Sequence, residues 1–130
     1  MLKSPIQQYH DCTCKSGCYG RDMDGQADRA ISFLRKCAAR RKLGEKLTLL
    51  LNIGETTLSN CKEMVDAGFT YNKEAFGASV RMAKAPIIPG SLRLYREAQK
   101  LNLKVIFITG RVEGDREATA RNLHAMGIAH

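Results

Sequence analysis

The chain has 130 residues, 44% of them apolar and 26% charged, and carries a net charge of +8. That length suits one domain rather than two and buries roughly two-thirds of the surface its unfolded chain exposes. The composition excludes disorder, and no apolar run approaches the ~20 residues that a membrane helix needs. The opening MLKSPIQQYHDC has no apolar stretch behind its lysine, so no signal peptide is expected and the chain as given reads as cytoplasmic. A surface this basic attracts anions. Its densest cluster is Arg35, Lys36, Arg40, Arg41 and Lys42, which reads first as a solvated helix end complementing the helix dipole. With 6% aromatic residues and no nucleic-acid motif, neither a specific nucleic-acid partner nor a membrane partner is expected.

Residues 1–23 read as a cysteine-containing N-terminal loop. Cys12, Cys14 and Cys18 follow His10 in a C-x-C-x₃-C run, while Cys37 and Cys61 stand alone. A structural zinc site usually shows two ligand pairs and an exported protein would favour a disulfide. The missing second half makes plain thiols in a loop the favoured expectation. From Asp24 to about Arg41, apolar residues at 27, 30, 31, 34 and 38 have helical spacing, and Gly44 closes that helix. KLTLLLNI, residues 46–53, is a continuous apolar run of strand length, which suggests a parallel strand covered on both faces.

Residues 58–85 read as a small cap-like insertion of short helices and loops, punctuated by Gly68, Asn72 and Gly77. Pro86, Pro89 and Gly90 make a sharp entry to a helix over 92–101, with Ser91 as its N-cap. KVIFIT, residues 104–109, is a second apolar strand, and Gly110 ends it before a last helix running to Gly127. This order predicts an α/β fold with a β-α-β crossover and adjacent parallel strands. Ligands in such sheets bind outside the carboxyl ends of the strands, here Asn52–Thr57 and Thr109–Arg111.

The string LLLNIGETTLSN, then APIIPGSLRLYREAQKLNLKVIFITGR and REATARNL, resembles the acid phosphatases of the haloacid-dehalogenase (HAD) superfamily. The branch is the plant and bacterial class B-like one, which includes plant vegetative storage proteins. The likeness runs from about Tyr9 to Ile128 and implies a partial, Rossmannoid HAD-like domain over 1–130, with phosphate or a phosphate monoester as ligand and Mg²⁺ as cofactor. In that family the first motif, D-x-D-E-T-x-L-S-N, supplies an attacking carboxylate that also binds metal and a second carboxyl that moves the proton. This chain has Asn52 at the nucleophile position and Gly54 at the general acid/base position. An amide is a weak nucleophile, and glycine has no side chain to move a proton. Glu55 next to them reads as a polar turn residue.

The second motif survives as Thr109, Gly110 and Arg111, which the resemblance assigns to phosphate oxygens. Mg²⁺ is left only the Asn52 amide and backbone oxygen at Asn52 and Gly54, so weak or absent metal binding is expected. The phosphate-binding Lys and the acidic G-D-x-x-x-D stretch are not found before His130, and Ser79 stands in AFGASV where the family tends to carry an aromatic. The expectation is therefore a degenerate, C-terminally truncated, catalytically impaired relative that still binds phosphate. The alternatives are an active Mg²⁺-dependent acid phosphatase and a basic non-catalytic interaction module. The missing neighbour strands leave the edge of Leu47–Ile53 unpaired, which predicts self-association.

Overall fold

A computed structural model describes residues 4–11 and 17–129. The chain divides into two compact units, Met1–Leu49 with Pro89–Lys104, and Leu50–Ile88 with Val105–His130. The first unit is mainly helical. Ser4 starts helix α1 (Pro5–His10): its side chain accepts from the Gln7 amide at 3.2 Å, and the Gln7 side chain accepts from the Ser4 amide at 2.9 Å. This reciprocal box, with Pro5 in the first turn, satisfies donors that a helix start leaves open.

Helix α2 (Gly17–Ala39) begins well before the predicted Asp24, and α1 precedes it. The segment read as loop over 1–23 is thus helical in much of its described part. GCYGRDMD has two glycines and no apolar period, so nothing in its pattern announced a helix; its contact with α1 and the regular α2 that follows carry it. His10 and Tyr19 stack their rings at 5.4 Å. Cys18 is disulfide-bonded rather than a plain thiol, whereas Cys37 and Cys61 are free; Cys12 and Cys14 lie outside the described residues.

Helix α5 (Pro89–Lys100) starts two residues before Ser91, which is buried instead of capping. Proline at the first helical position is favoured because its missing N–H is one that helix starts leave unpaired anyway. Side by side and running the same way, α2 and α5 touch at a series of matched positions. A Cβ on Gly90 would lie 2.8 Å from the Ala27 Cβ, so the helices approach too closely there for any larger residue. Further along, Arg93 meets Asp28 at 2.8 Å, Arg35 meets Glu97 at 2.8 Å, and Arg41 donates to the Leu101 carbonyl at 2.8 Å.

The second unit holds most of a two-stranded parallel sheet, β1 (Thr48–Asn52) beside β2 (Lys104–Ile108). It also holds α3 (Cys61–Asp66) and α4 (Lys73–Met82), followed by a 3₁₀ turn (Glu113–Asp115) and α6 (Arg116–Ala125). The Asn72 side chain accepts from the Ala75 amide at 2.9 Å and starts α4. Asn122, buried under α6, holds both backbone groups of Ala85 at 3.0 and 2.8 Å. The cap-like stretch 58–85 is thus two short helices tied to α6. The expectation that the strands are covered on both faces is not met. Leu51, Ile53 and Val105 are buried, but Leu50 is 56% exposed, Ile106 38% and Ile108 48%. Alternation along each strand puts the exposed residues on one face, and in this chain that apolar face meets solvent.

Candidate functional site

The turn after β1 is built by one carbonyl. Ile53 O accepts from the amides of Thr57 at 3.0 Å and Leu58 at 2.9 Å, while the Thr57 hydroxyl donates to Asn52 O at 2.8 Å. Ile53 N donates to Ile108 O at 3.0 Å, so the carboxyl ends of β1 and β2 lie side by side, as the crossover predicts. Thr57 and Leu58 are fully buried, and Ser59 N and Ile88 N complete the seat through Pro86 O and Thr57 O, both at 2.8 Å. Glu55 sits in the left-handed region at φ +53, a conformation that costs a non-glycine residue of order 1 kcal/mol. Its carboxylate offsets that by accepting from the Asn60 amide at 2.7 Å and from the Ser59 hydroxyl at 3.4 Å. Glu55 is therefore occupied in holding the turn and is not aimed at a ligand.

Asn52 is exposed, and Gly54 adds no side chain. Gly54 needs no glycine-only conformation, and a Cβ there would meet the Asn60 Nδ2 at 3.2 Å, the movable end of a side chain. The absence of a carboxyl at this position is thus not forced by space. The donors at this turn contain no free carboxylate, and no group of three or more His, Cys, Asp or Glu able to hold a metal occurs among the described residues. The residues present do not fit a hard divalent cation, which prefers several carboxylate oxygens.

The end of β2 is different. A cavity of about 300 Å³ lies against it, lined by Ile53, Phe107, Thr109, Arg111, Arg116 and Thr119 among others. Asn52 and Gly54 are not in its lining. Thr109 is exposed and its Oγ1 accepts from the Arg111 amide at 3.1 Å, which leaves its own O–H free to donate. No hydrogen bond among the described residues engages the Gly110 amide, and a side chain added there would meet nothing within 4 Å. Arg111 Nη1 donates to the Thr119 hydroxyl at 3.0 Å, while its Nε is buried without a partner among the described residues. Burial pushes the Arg111 guanidinium below its ordinary value, and the charges of Asp115 and Glu63 pull the other way. Guanidinium remains charged throughout the accessible range. Arg116 pairs with Glu113, so Arg111 is the cation at this cavity without a salt bridge among the described residues. Arg111 thus places a positive charge at the lining of the cavity, the kind of charge that an anionic oxygen pairs with.

Of the sequence-predicted site residues, Thr109 and Arg111 line this cavity, with Gly110 between them in the chain, and Asn52 and Gly54 lie outside its lining. Thr119, which lies within the REATARNL string and orients Arg111, has no local sequence signal for that role, and neither do two buried acids. These are Asp115, buried beside Arg81 at 3.5 Å, and Glu63, whose Oε2 is buried without a partner among the described residues. The only signal for these was acidic residues at polar spacing, which most surface acids share. A second, larger cavity of about 500 Å³ lies between α3 and α4, against Met64, Phe69, Tyr71 and Phe76.

A family model described as HAD superfamily, subfamily IIIB (Acid phosphatase) matches residues 2–130. The chain belongs to that family. HAD acid phosphatases are hydrolases and are generally metal-dependent. This HAD chain is also 35% identical over 82 residues to Acid phosphatase 1 of Solanum lycopersicum, a match covering 61% of the chain and 32% of the tomato protein. Its fold is that of the class C acid phosphatase of Bacillus anthracis, with a TM-score of 0.79 and 20% identity over 95% of the chain and 51% of that protein. The same enzyme with tungstate bound matches at a TM-score of 0.74 and 20% identity, over 92% of the chain and 50% of that protein. The HAD chain thus spans about half the length of the solved relatives and about one third of the tomato protein.

Proposed function

We propose that this HAD acid phosphatase relative binds phosphate or a phosphate monoester without turning it over efficiently. The observation that carries the reading is Asn52 with Gly54 at the positions of the family's two reacting carboxylates. Neither can supply a strong nucleophile or a proton shuttle. Loss of acid–base help alone typically slows a reaction about 10²–10⁴-fold, and loss of the nucleophile adds to that. Phosphate binding is supported by the Thr109 hydroxyl and the Arg111 guanidinium in the lining of one cavity, with the exposed Gly110 between them in the chain. The Bacillus anthracis relative with tungstate bound favours a tetrahedral oxyanion as the ligand class. Mg²⁺ binding is weak on this reading, because the Asn52 amide and the backbone at Gly54 offer it no carboxylate.

The test is hydrolysis of an aryl phosphate in the presence of Mg²⁺, with the Asn52→Asp, Gly54→Asp double variant alongside. The expected result is a native rate no higher than that of buffer with Mg²⁺. Robust native turnover that vanishes on Thr109→Val contradicts the reading and favours an active Mg²⁺-dependent acid phosphatase. The other alternative, a basic non-catalytic interaction module, is favoured by a separate observation in the first unit.

A further inference from the structure

The turn that follows α2 combines two features that the phosphatase fold does not require. Residues 42–45 close on themselves: the Glu45 amide donates to Lys42 O at 3.0 Å, and Glu45 Oε2 accepts from the Lys42 amide at 3.0 Å. Gly44 at φ +83 supplies the positive φ that the third position of a type II turn needs. This turn pushes Leu43 outward until it is 107% exposed, the most exposed large hydrophobic residue among the described residues. A leucine held fully in water by a locked turn gains nothing from the fold.

Around it stand Arg40, Arg41, Lys42 and Lys46 from the turn itself. Arg41 donates to Leu101 O at 2.8 Å and Lys104 N donates to Leu47 O at 3.0 Å. Those two bonds bring Lys100 and Lys104, at the end of α5 and the start of β2, to the same end of the first unit. Among the described residues, no salt bridge engages Arg40, Lys42, Lys46, Lys100 or Lys104. The nearby Glu45 carboxylate is already bonded to the Lys42 amide. Complementing the helix dipole explains cations in the last turns of α2 and α5. It explains neither Lys46 and Lys104, which lie beyond the helices, nor Leu43.

We propose that this basic turn is a contact surface for an anionic lipid bilayer, with Leu43 entering the headgroup boundary and the surrounding cations meeting lipid phosphate and carboxylate groups. Aliphatic insertion combined with a basic ring is the chemistry of a peripheral membrane contact. It differs from a spanning segment, and no helix among the described residues is long and apolar enough to cross a membrane. Nucleic acid fits less well. Sequence-tolerant single-strand surfaces stack bases on aromatic rings, which an aliphatic tip does not offer, and a duplex would engage the cations through its phosphates while leaving Leu43 without a contact. The inference is independent of phosphate binding at Thr109–Arg111.

The test is flotation of the full chain with phosphatidylcholine vesicles, alone or containing about one-third phosphatidylserine, at low and high salt. The expected result is partitioning onto the anionic vesicles only, reversed by salt. Lys42→Glu with Lys46→Glu should lower the partition coefficient by about tenfold or more, since each cation near such a surface is worth about fivefold. Leu43→Ser should lower it several-fold while leaving the salt dependence unchanged. All three positions are exposed, and unchanged far-ultraviolet circular dichroism verifies the fold of each variant. Equal binding by native protein and the double-charge variant overturns the proposal. So does native-like binding by Leu43→Ser, and so does tighter binding to a DNA duplex than to anionic vesicles.

Discussion

The α2–α5 pair and the turn after β1 treat charge in opposite ways. In the helical pair, cations and carboxylates are matched along the contact, with Arg35 on Glu97 and Arg93 on Asp24 and Asp28. In the turn, the carboxylate that remains, Glu55, is used on Ser59 and Asn60. Beside it stand Asn52, exposed, and Gly54, which has no side chain. The proposed function rests on that contrast: a fold and its reaction depend on different residues, and on our proposal only the first set is intact here.

The largest expected effect breaks the kept part. Leu58 is fully buried in the seat of the turn, so Leu58→Ala should cost about 2–5 kcal/mol in chemical denaturation. A cost under about 1 kcal/mol would mean that the turn is not packed as described. Next, Gly90→Ala should cost about 1–3 kcal/mol, because the new Cβ meets Ala27 at 2.8 Å with Met23 O at 3.2 Å. No loss there would contradict the close approach of α2 and α5. A smaller effect concerns pH. The Arg35 hydrogen bond holds the Glu97 carboxyl below its ordinary value, against some desolvation. A lowered folded pKa means stability that is present above the ordinary carboxylate range and lost as pH falls through it. Glu97→Gln should therefore lower stability slightly near neutrality and converge on the native protein at acid pH, so that its profile is flatter on the acid side; chemical denaturation across pH reads this, and an unchanged profile would contradict the pair.

The smallest effect marks the other region. Asn52 is exposed and its backbone carbonyl, not its amide side chain, receives Thr57. Asn52→Asp should thus change stability by no more than about 0.5 kcal/mol. A large change would show that the amide is structural and that its presence is a fold requirement.

Much of the frame was legible. Both strands fall inside the predicted apolar runs, because LTLLLN and KVIFI are continuous and bounded by turn residues. Their mutual pairing followed from the crossover rule. The start of α2 was not legible, since two glycines and no apolar period hide it, and Ser91 looked like a cap because it follows Pro-Gly. Coverage of the strands could not be read from their hydrophobicity, for Leu50 and Ile106 look as buried as Leu51 and Val105. We propose that the exposed apolar face of Leu50, Ile106 and Ile108 supports self-association. Light scattering should show mass rising with concentration, and a clean monomer throughout would remove it. At the site, Thr109–Arg111 came from the family motif, whereas the Thr119 bond to Arg111 depends on how α6 folds back and has no local signature.

Phosphate binding at the end of β2 is tested by titration with inorganic phosphate followed by amide NMR, with and without Mg²⁺. On the proposed function the largest shifts fall on Thr109, Gly110 and Arg111 in both conditions, because Thr109 and Arg111 line the cavity and no carboxylate cluster able to hold a metal occurs among the described residues. Shifts that need Mg²⁺, or that map instead to Arg35–Lys42, would contradict it.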